Sequence, residues 1–167
     1  MVRFLVFRIR KKTYHRDSET QRILRMNLLL CFFLLTIKNV IMDNEKLNEL
    51  SGKILDAAIE VHRILGPGLL EIVYETCLCK ELTLRNIAYK RQVLIPIIYK
   101  ECSLNYDLKL DILVEDLIVV ELKSVEIMHP VFKAQLLSHL KLTNKKLGLL
   151  INFNVPKLIE GFKRIIN

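Results

Sequence analysis

Apolar residues recur at helical spacing at Leu47, Leu50, Ile54, Ala57, Ala58, Val61 and Leu65, until Gly66-Pro67-Gly68 breaks the pattern. A second helical stretch follows from about Leu69 to Arg85, with Leu70, Val73, Cys77 and Leu78 as packing positions. Beyond Asn86 the pattern changes to strands. Gln92-Val-Leu-Ile-Pro-Ile-Ile-Tyr99 reads as the first, and Pro96, which cannot donate to a ladder, marks an edge or an interruption. Two more strands carry Asp111 and Glu121. Pro130 then opens a helix to about Thr143, Leu147 to Phe153 forms another strand, and Pro156 begins a terminal helix. The predicted order is ααβββαβα, without repeats or low-complexity stretches, which describes one α/β domain with a mixed sheet flanked by helices.

Charges written into apolar strands stand out in Asp111-Ile-Leu-Val-Glu-Asp-Leu-Ile-Val-Val-Glu121-Leu-Lys123. Strand alternation puts Glu121 and Lys123 on one face; on the strand before, Asp107, Lys109 and Asp111 share a face opposite Leu108, Leu110 and Ile112. Two hairpin registers are open. A three-residue Glu115-Asp116-Leu117 loop sets Asp111 across from Glu121, whereas a two-residue Glu115-Asp116 turn sets Val120 there and directs Glu121 away.

In the first register two carboxylates converge beside an ammonium. They repel unless a cation intervenes, and hard oxygen donors favour Mg²⁺ or Mn²⁺. The Leu122 carbonyl adds an oxygen, and Lys123 is placed to orient a water or neutralise charge developing on a phosphate, which is a pattern for phosphodiester hydrolysis. The plain alternative is a surface hairpin with a Lys/Glu cross-strand pair. Glu71, Tyr74 and Glu75 share a helix face, so Glu71 is placed to assist the metal and Tyr74 to line the rim. The alternatives are a helix N-terminal acid and an ordinary packed tyrosine.

Residues 42–167 resemble the GxxExxY protein family of the PD-(D/E)XK nuclease superfamily. The resemblance runs through Ala57-Ala-Ile-Glu-Val-His62-Arg-Ile-Leu-Gly66-Pro67, Gly68-Leu-Leu-Glu71-Ile-Val-Tyr74, Leu113-Val-Glu-Asp116, Val120-Glu-Leu-Lys123, Ala134-Gln-Leu-Leu137 and Leu147-Gly-Leu-Leu-Ile-Asn-Phe-Asn-Val-Pro156. It implies a restriction-endonuclease-like fold and a metal-dependent nuclease, with nucleic acid as partner, DNA ahead of RNA. Asp111 and Glu121 would hold the metal with the Leu122 carbonyl, Glu71 would assist, Lys123 would act on water, and Gln135 would organise the site. Lys109, Tyr74 and His139 are the candidate substrate contacts. Some positions depart from the family: His139 stands where a tyrosine is usual, Phe132-Lys133 where a His-Glu pair is common, and Lys109 where an arginine is common. These departures set a catalytically weak or inactive binding module beside the nuclease reading.

The formal charge of +8 does not mark a nucleic-acid surface, because of where it lies. Residues 1–41 hold nine basic and two acidic residues; the other 126 hold 17 basic and 16 acidic, a net +1. A domain this neutral is expected to need a second subunit or a protein partner to hold nucleic acid. Cys31, Cys77, Cys79 and Cys102 show no zinc spacing, so reduced thiols and a cytoplasmic location are expected. No Ser/His/Asp order, phosphate-cradling glycine loop or dinucleotide fingerprint is present. His62 reads as a structural histidine as readily as a site residue, and Lys145, Lys146, Lys157, Lys163 and Arg164 as a solvated face.

The first 41 residues are read as an extension outside the fold. The basic stretch and the run Met26–Ile37 imitate a secretory signal without a small-residue cleavage site, and the run is shorter than the roughly 20 residues of a membrane-spanning helix, so stable insertion is not expected. The family resemblance begins only downstream, which makes Met42 the expected translation start. Peptide mapping of the native protein should find its N-terminus at Met42; abundant peptides containing Tyr14 or Phe32 would overturn that start.

Overall fold

The computed structural model describes residues 19–167; residues 1–18, with His15 and six of the basic residues, lie outside the described residues. Its contacts divide the chain into two units, 1–43 and 44–167. Helix α1 is Glu19–Leu65. In the first unit, large apolar side chains from Leu24 to Met42 are exposed, Leu29 by 68%. The sequence breaks the apolar run at Lys38-Asn39, but the helix carries it on through Val40-Ile41-Met42. By length and composition alone, a stretch of α1 within Leu24–Leu65 is therefore long and apolar enough to cross a bilayer, a property that signal sequences share.

The second unit is built on a five-stranded sheet of order β1-β2-β3-β4-β5. Its strands are β1 Tyr89–Tyr99, β2 Cys102–Val114, β3 Ile118–Lys123, β4 Leu147–Asn152 and β5 Phe162–Ile166. The first three form an antiparallel meander, β3 and β4 are parallel, and β5 returns antiparallel. Helix α2, Glu71–Leu84, follows α1, and helix α3, Pro130–Thr143, connects β3 to β4, because parallel neighbours need a crossover. One face of the sheet (Ile112, Val114, Ile118, Val120, Leu122, Leu149, Ile151) packs with Ile54, Ala57, Ala58 and Val61 of α1 and with α2. The other face (Leu113, Val119, Leu150, Ile165) packs with Leu136 and Leu140 of α3. A Cβ on Gly148 would stand 2.8 Å from Leu136, so glycine there lets α3 lie close against β4.

Three expectations change. The chain after Pro156 forms one helical turn, α4 Leu158–Gly161, and then edge strand β5 instead of a terminal helix. Phe162 and Ile165 are three apart, which reads as one helical face; in a strand they point opposite ways, and each joins a different core cluster. Leu70, just before α2, and Val73 on it are exposed, and the buried face of α2 includes Tyr74, Leu78 and Leu82. Leu110 and Ile112 do not share a face: Ile112 packs towards α1 and α2, Leu110 towards α3. That break in alternation coincides with Gln92 opposite, held at φ 52°. The expectation for Pro96 holds, since β1 is an edge strand and its register shifts between Pro96 and Ile98.

The turn between α1 and α2 depends on two glycines and a tyrosine. Gly66 and Gly68 have φ of 69° and 99°, conformations that side chains disfavour. Tyr74, fully buried, stacks on Phe153 at 4.4 Å between ring centroids. Its hydroxyl donates to the Gly66 carbonyl at 2.6 Å and accepts from the Leu69 N–H at 3.1 Å. Tyr74→Phe should therefore destabilise residues 42–167 by about 1–3 kcal/mol, since it strands two part-buried backbone groups; equilibrium urea unfolding measures the loss.

Candidate functional site

The hairpin adopts the three-residue loop. Ile112 pairs with Val120, Leu113 with Val119 and Val114 with Ile118, so Asp111 is in line with Glu121. Glu115 and Asp116 take positive φ at the loop. The Glu115 carboxylate accepts from the Ala88 N–H at 2.9 Å, and Lys145 Nζ donates to Asp116 Oδ2 at 2.9 Å. This loop chemistry fixes the register on which the site depends.

The β2–β3 ladder ends at Ile112–Val120, and the next residue puts a side chain where a backbone carbonyl would bond. Asp111 Oδ2 accepts from the Leu122 N–H at 2.9 Å. Lys123 Nζ lies between Glu121 Oε1 at 2.9 Å and the Leu122 carbonyl at 2.7 Å, with Glu71 Oε2 at 3.9 Å. Glu121 is 2% exposed and Lys123 9%, so both charges are buried, and Lys123 satisfies one of the two Glu121 oxygens. Glu71, the first residue of α2, is half-exposed at the opening. The Ser124 hydroxyl donates to the Leu69 carbonyl at 2.6 Å and ties the end of β3 to the segment before α2.

Crowding of carboxylates shows in their proton affinities. Burial first, and the Glu121 charge second, push the Asp111 carboxyl up to about 6, against the Leu122 N–H and Lys123. Burial also pushes Glu121 upward, but His139 and Lys123 together outweigh it and hold Glu121 below its usual value. Glu71 is raised by burial, with Lys123 opposing and Glu121 and Glu75 adding to the shift. Among the described residues no three His, Cys, Asp or Glu side chains form a ready metal cage. The Lys123 ammonium instead takes the place of a cation among the oxygens of Glu121, Leu122 and Glu71, and buried Glu121 Oε2 has no hydrogen-bond partner. An all-oxygen donor set arranged round one positive charge fits a hard divalent cation.

Two candidate substrate contacts are corrected by burial. Tyr74 is fully buried and bonded to the α1–α2 turn, so it does not line a rim. His139 is 2% exposed, with Nδ1 3.3 Å from Glu121 Oε2; it meets the site from behind. Lys109 is exposed on β2, and Gln135 is exposed on α3 one turn before His139. Glu75 is engaged by β1: it accepts from Arg91 Nε at 2.8 Å and from Gln92 Nε2 at 2.7 Å, bracing the strand opposite Asp111. His62 Nε2 donates to the Val155 carbonyl at 2.9 Å, the structural role.

Sequence reasoning passed over Asn152 and the contact of Phe132. Asn152 is buried; its Oδ1 accepts from the Val125 N–H at 3.1 Å and its Nδ2 donates to the Val125 carbonyl at 2.9 Å, fixing the chain as it leaves β3. The signal was a polar residue closing an otherwise apolar strand. The Phe132 ring centroid lies 5.5 Å from Lys123 Nζ, a cation–π distance that no spacing reveals.

A family model described as the PD-(D/E)XK nuclease superfamily matches residues 48–165. Comparison with curated proteins and with solved structures found no match.

Because the folded state holds the Asp111 proton more tightly than the unfolded chain does, that stabilisation is complete at acid pH and is lost as pH rises through about 6. Asp111→Asn should accordingly stabilise the metal-free protein near neutral pH by about 1–2 kcal/mol, partial solvent exposure reducing the effect, and give no gain at roughly pH 4. Urea unfolding in chelator at both pH values measures this; an equal effect at the two would refute the crowding.

Proposed function

From the premise that the chain belongs to the PD-(D/E)XK nuclease superfamily, we propose that it is a metal-dependent nuclease of the GxxExxY branch that hydrolyses phosphodiester bonds of nucleic acid. One observation carries the reading: Lys123 Nζ sits among the oxygens of Glu121 and Leu122 where β2 and β3 part and Asp111 closes on the Leu122 N–H.

Asp111, Glu121 and the Leu122 carbonyl hold Mg²⁺ or Mn²⁺ in this reading, with Glu71 assisting from the half-exposed opening. The chemistry such a cation would supply is polarisation of the phosphoryl oxygen and a lowered pKa for a water. Lys123 then gives up its bonds to Glu121 Oε1 and the Leu122 carbonyl and turns its ammonium to the scissile phosphate, orienting water and offsetting the charge that develops. The Phe132 ring keeps that ammonium near the site through its cation–π contact. Gln135, exposed on α3, takes the substrate side.

A binding module without turnover is the second reading, favoured by the net charge of +1 over residues 42–167. Purified residues 42–167 should cleave single-stranded DNA, duplex DNA or RNA with Mn²⁺ or Mg²⁺. Lys123→Ala should lower the rate by roughly 10²–10⁴-fold while the circular dichroism spectrum and cooperative melt persist. Unchanged cleavage in that variant refutes the assignment; Mn²⁺ binding in the wild type without turnover on any substrate establishes the module.

A further inference from the structure

Glu121 has two oxygens in two environments. Oε1 faces Lys123, at the place proposed for a cation, and Oε2 faces the His139 side chain of α3. Among the described residues, Glu121 Oε2 and His139 Nδ1 are the buried side-chain atoms left without a hydrogen-bond partner, and they lie 3.3 Å from each other. Both residues are 2% exposed, so water is not at hand to satisfy either atom. A buried carboxylate oxygen without a donor is costly, and His139 offers the nearest N–H.

We propose that His139 is the positioning residue for Glu121. An imidazole with a proton on Nδ1 donates to Oε2 and fixes the carboxylate plane, which leaves Oε1 aimed at the cation site whether Lys123 or a divalent ion lies there. The placement is rigid because His139 stands between Leu136 and Leu140 on the buried face of α3, and Gly148 lets Leu136 seat directly on β4. Partners of this kind behind a metal-binding carboxylate govern its orientation and hence the affinity for the ion. The inference rests on the metal reading of Glu121 above, but the contact itself exists without metal.

Three variants separate a donor from a filler: His139→Asn keeps an N–H near the Nδ1 position, His139→Leu keeps bulk without a donor, and His139→Gln places its amide near Nε2. Calorimetric titration with Mn²⁺ alone should show His139→Leu and His139→Gln weakened roughly 10- to 100-fold and His139→Asn close to wild type. In cleavage assays the Mn²⁺ concentration for half-maximal rate should rise by the same factor, with kcat at saturating metal little changed. Equal Mn²⁺ affinity in folded His139→Leu overturns the proposal, as does equal weakening of all three variants. Long-range ¹H–¹⁵N spectra of the metal-free wild type should show a proton on His139 Nδ1, and a bare Nδ1 overturns the proposal whatever the variants do. Should the wild type bind no Mn²⁺, the metal reading fails, and the Nδ1 proton alone then decides the contact with Glu121.

Discussion

A carboxylate and an ammonium buried two residues apart in a fully buried strand are the constraint on which this structure turns. Ion pairs inside a protein regain little beyond their desolvation cost, and apolar residues of similar volume would serve the sheet as well or better. Glu121 and Lys123 are tolerated because each is the other's partner, with the Leu122 carbonyl taking a further ammonium proton and His139 standing against the second carboxylate oxygen. Stability alone therefore does not account for such a pair in the sheet.

The surrounding structure serves to hold that pair at the end of a ladder. The Glu115–Leu117 loop sets the register, Asp111 replaces a backbone acceptor at the point of separation, and Asn152 fixes the exit of β3. Gly148 draws α3 onto the sheet, and Tyr74 locks the turn that delivers Glu71 to the opening. The Glu75–Arg91–Gln92 cluster braces the edge strand opposite Asp111. Each of these residues sets where Asp111, Glu121, Lys123 or Glu71 stands.

Electrostatics of the second unit do not provide a broad basic surface. Lys145 is engaged by Asp116 and Arg164 by Asn48, so two of the cations that the sequence offers to phosphates are held within the fold.

Much of this was legible from residue order. The helices over 47–65 and 130–143, the edge character of the Pro96 strand and the pairing of Glu121 with Lys123 on one face follow from periodicity, proline chemistry and the expense of charge in an apolar run, whereas the hairpin register that brings Asp111 in line with Glu121 was one of two that the sequence left open. Local pattern failed where two conformations share one spacing: Phe162 and Ile165 suit a helix face or two faces of a strand, and only contact with both cores selected the strand. It also failed where alternation breaks, as between Leu110 and Ile112. The roles of Tyr74 and His139 were beyond it for the same reason, since a side chain's partners come from distant segments: Phe153 for Tyr74 and Glu121 for His139. Sequence by itself determined which charged residues interrupt the apolar strands; folding decided which of them meet around Lys123 and which are packed behind it, because burial and partnership are properties of packed elements and not of spacing along one.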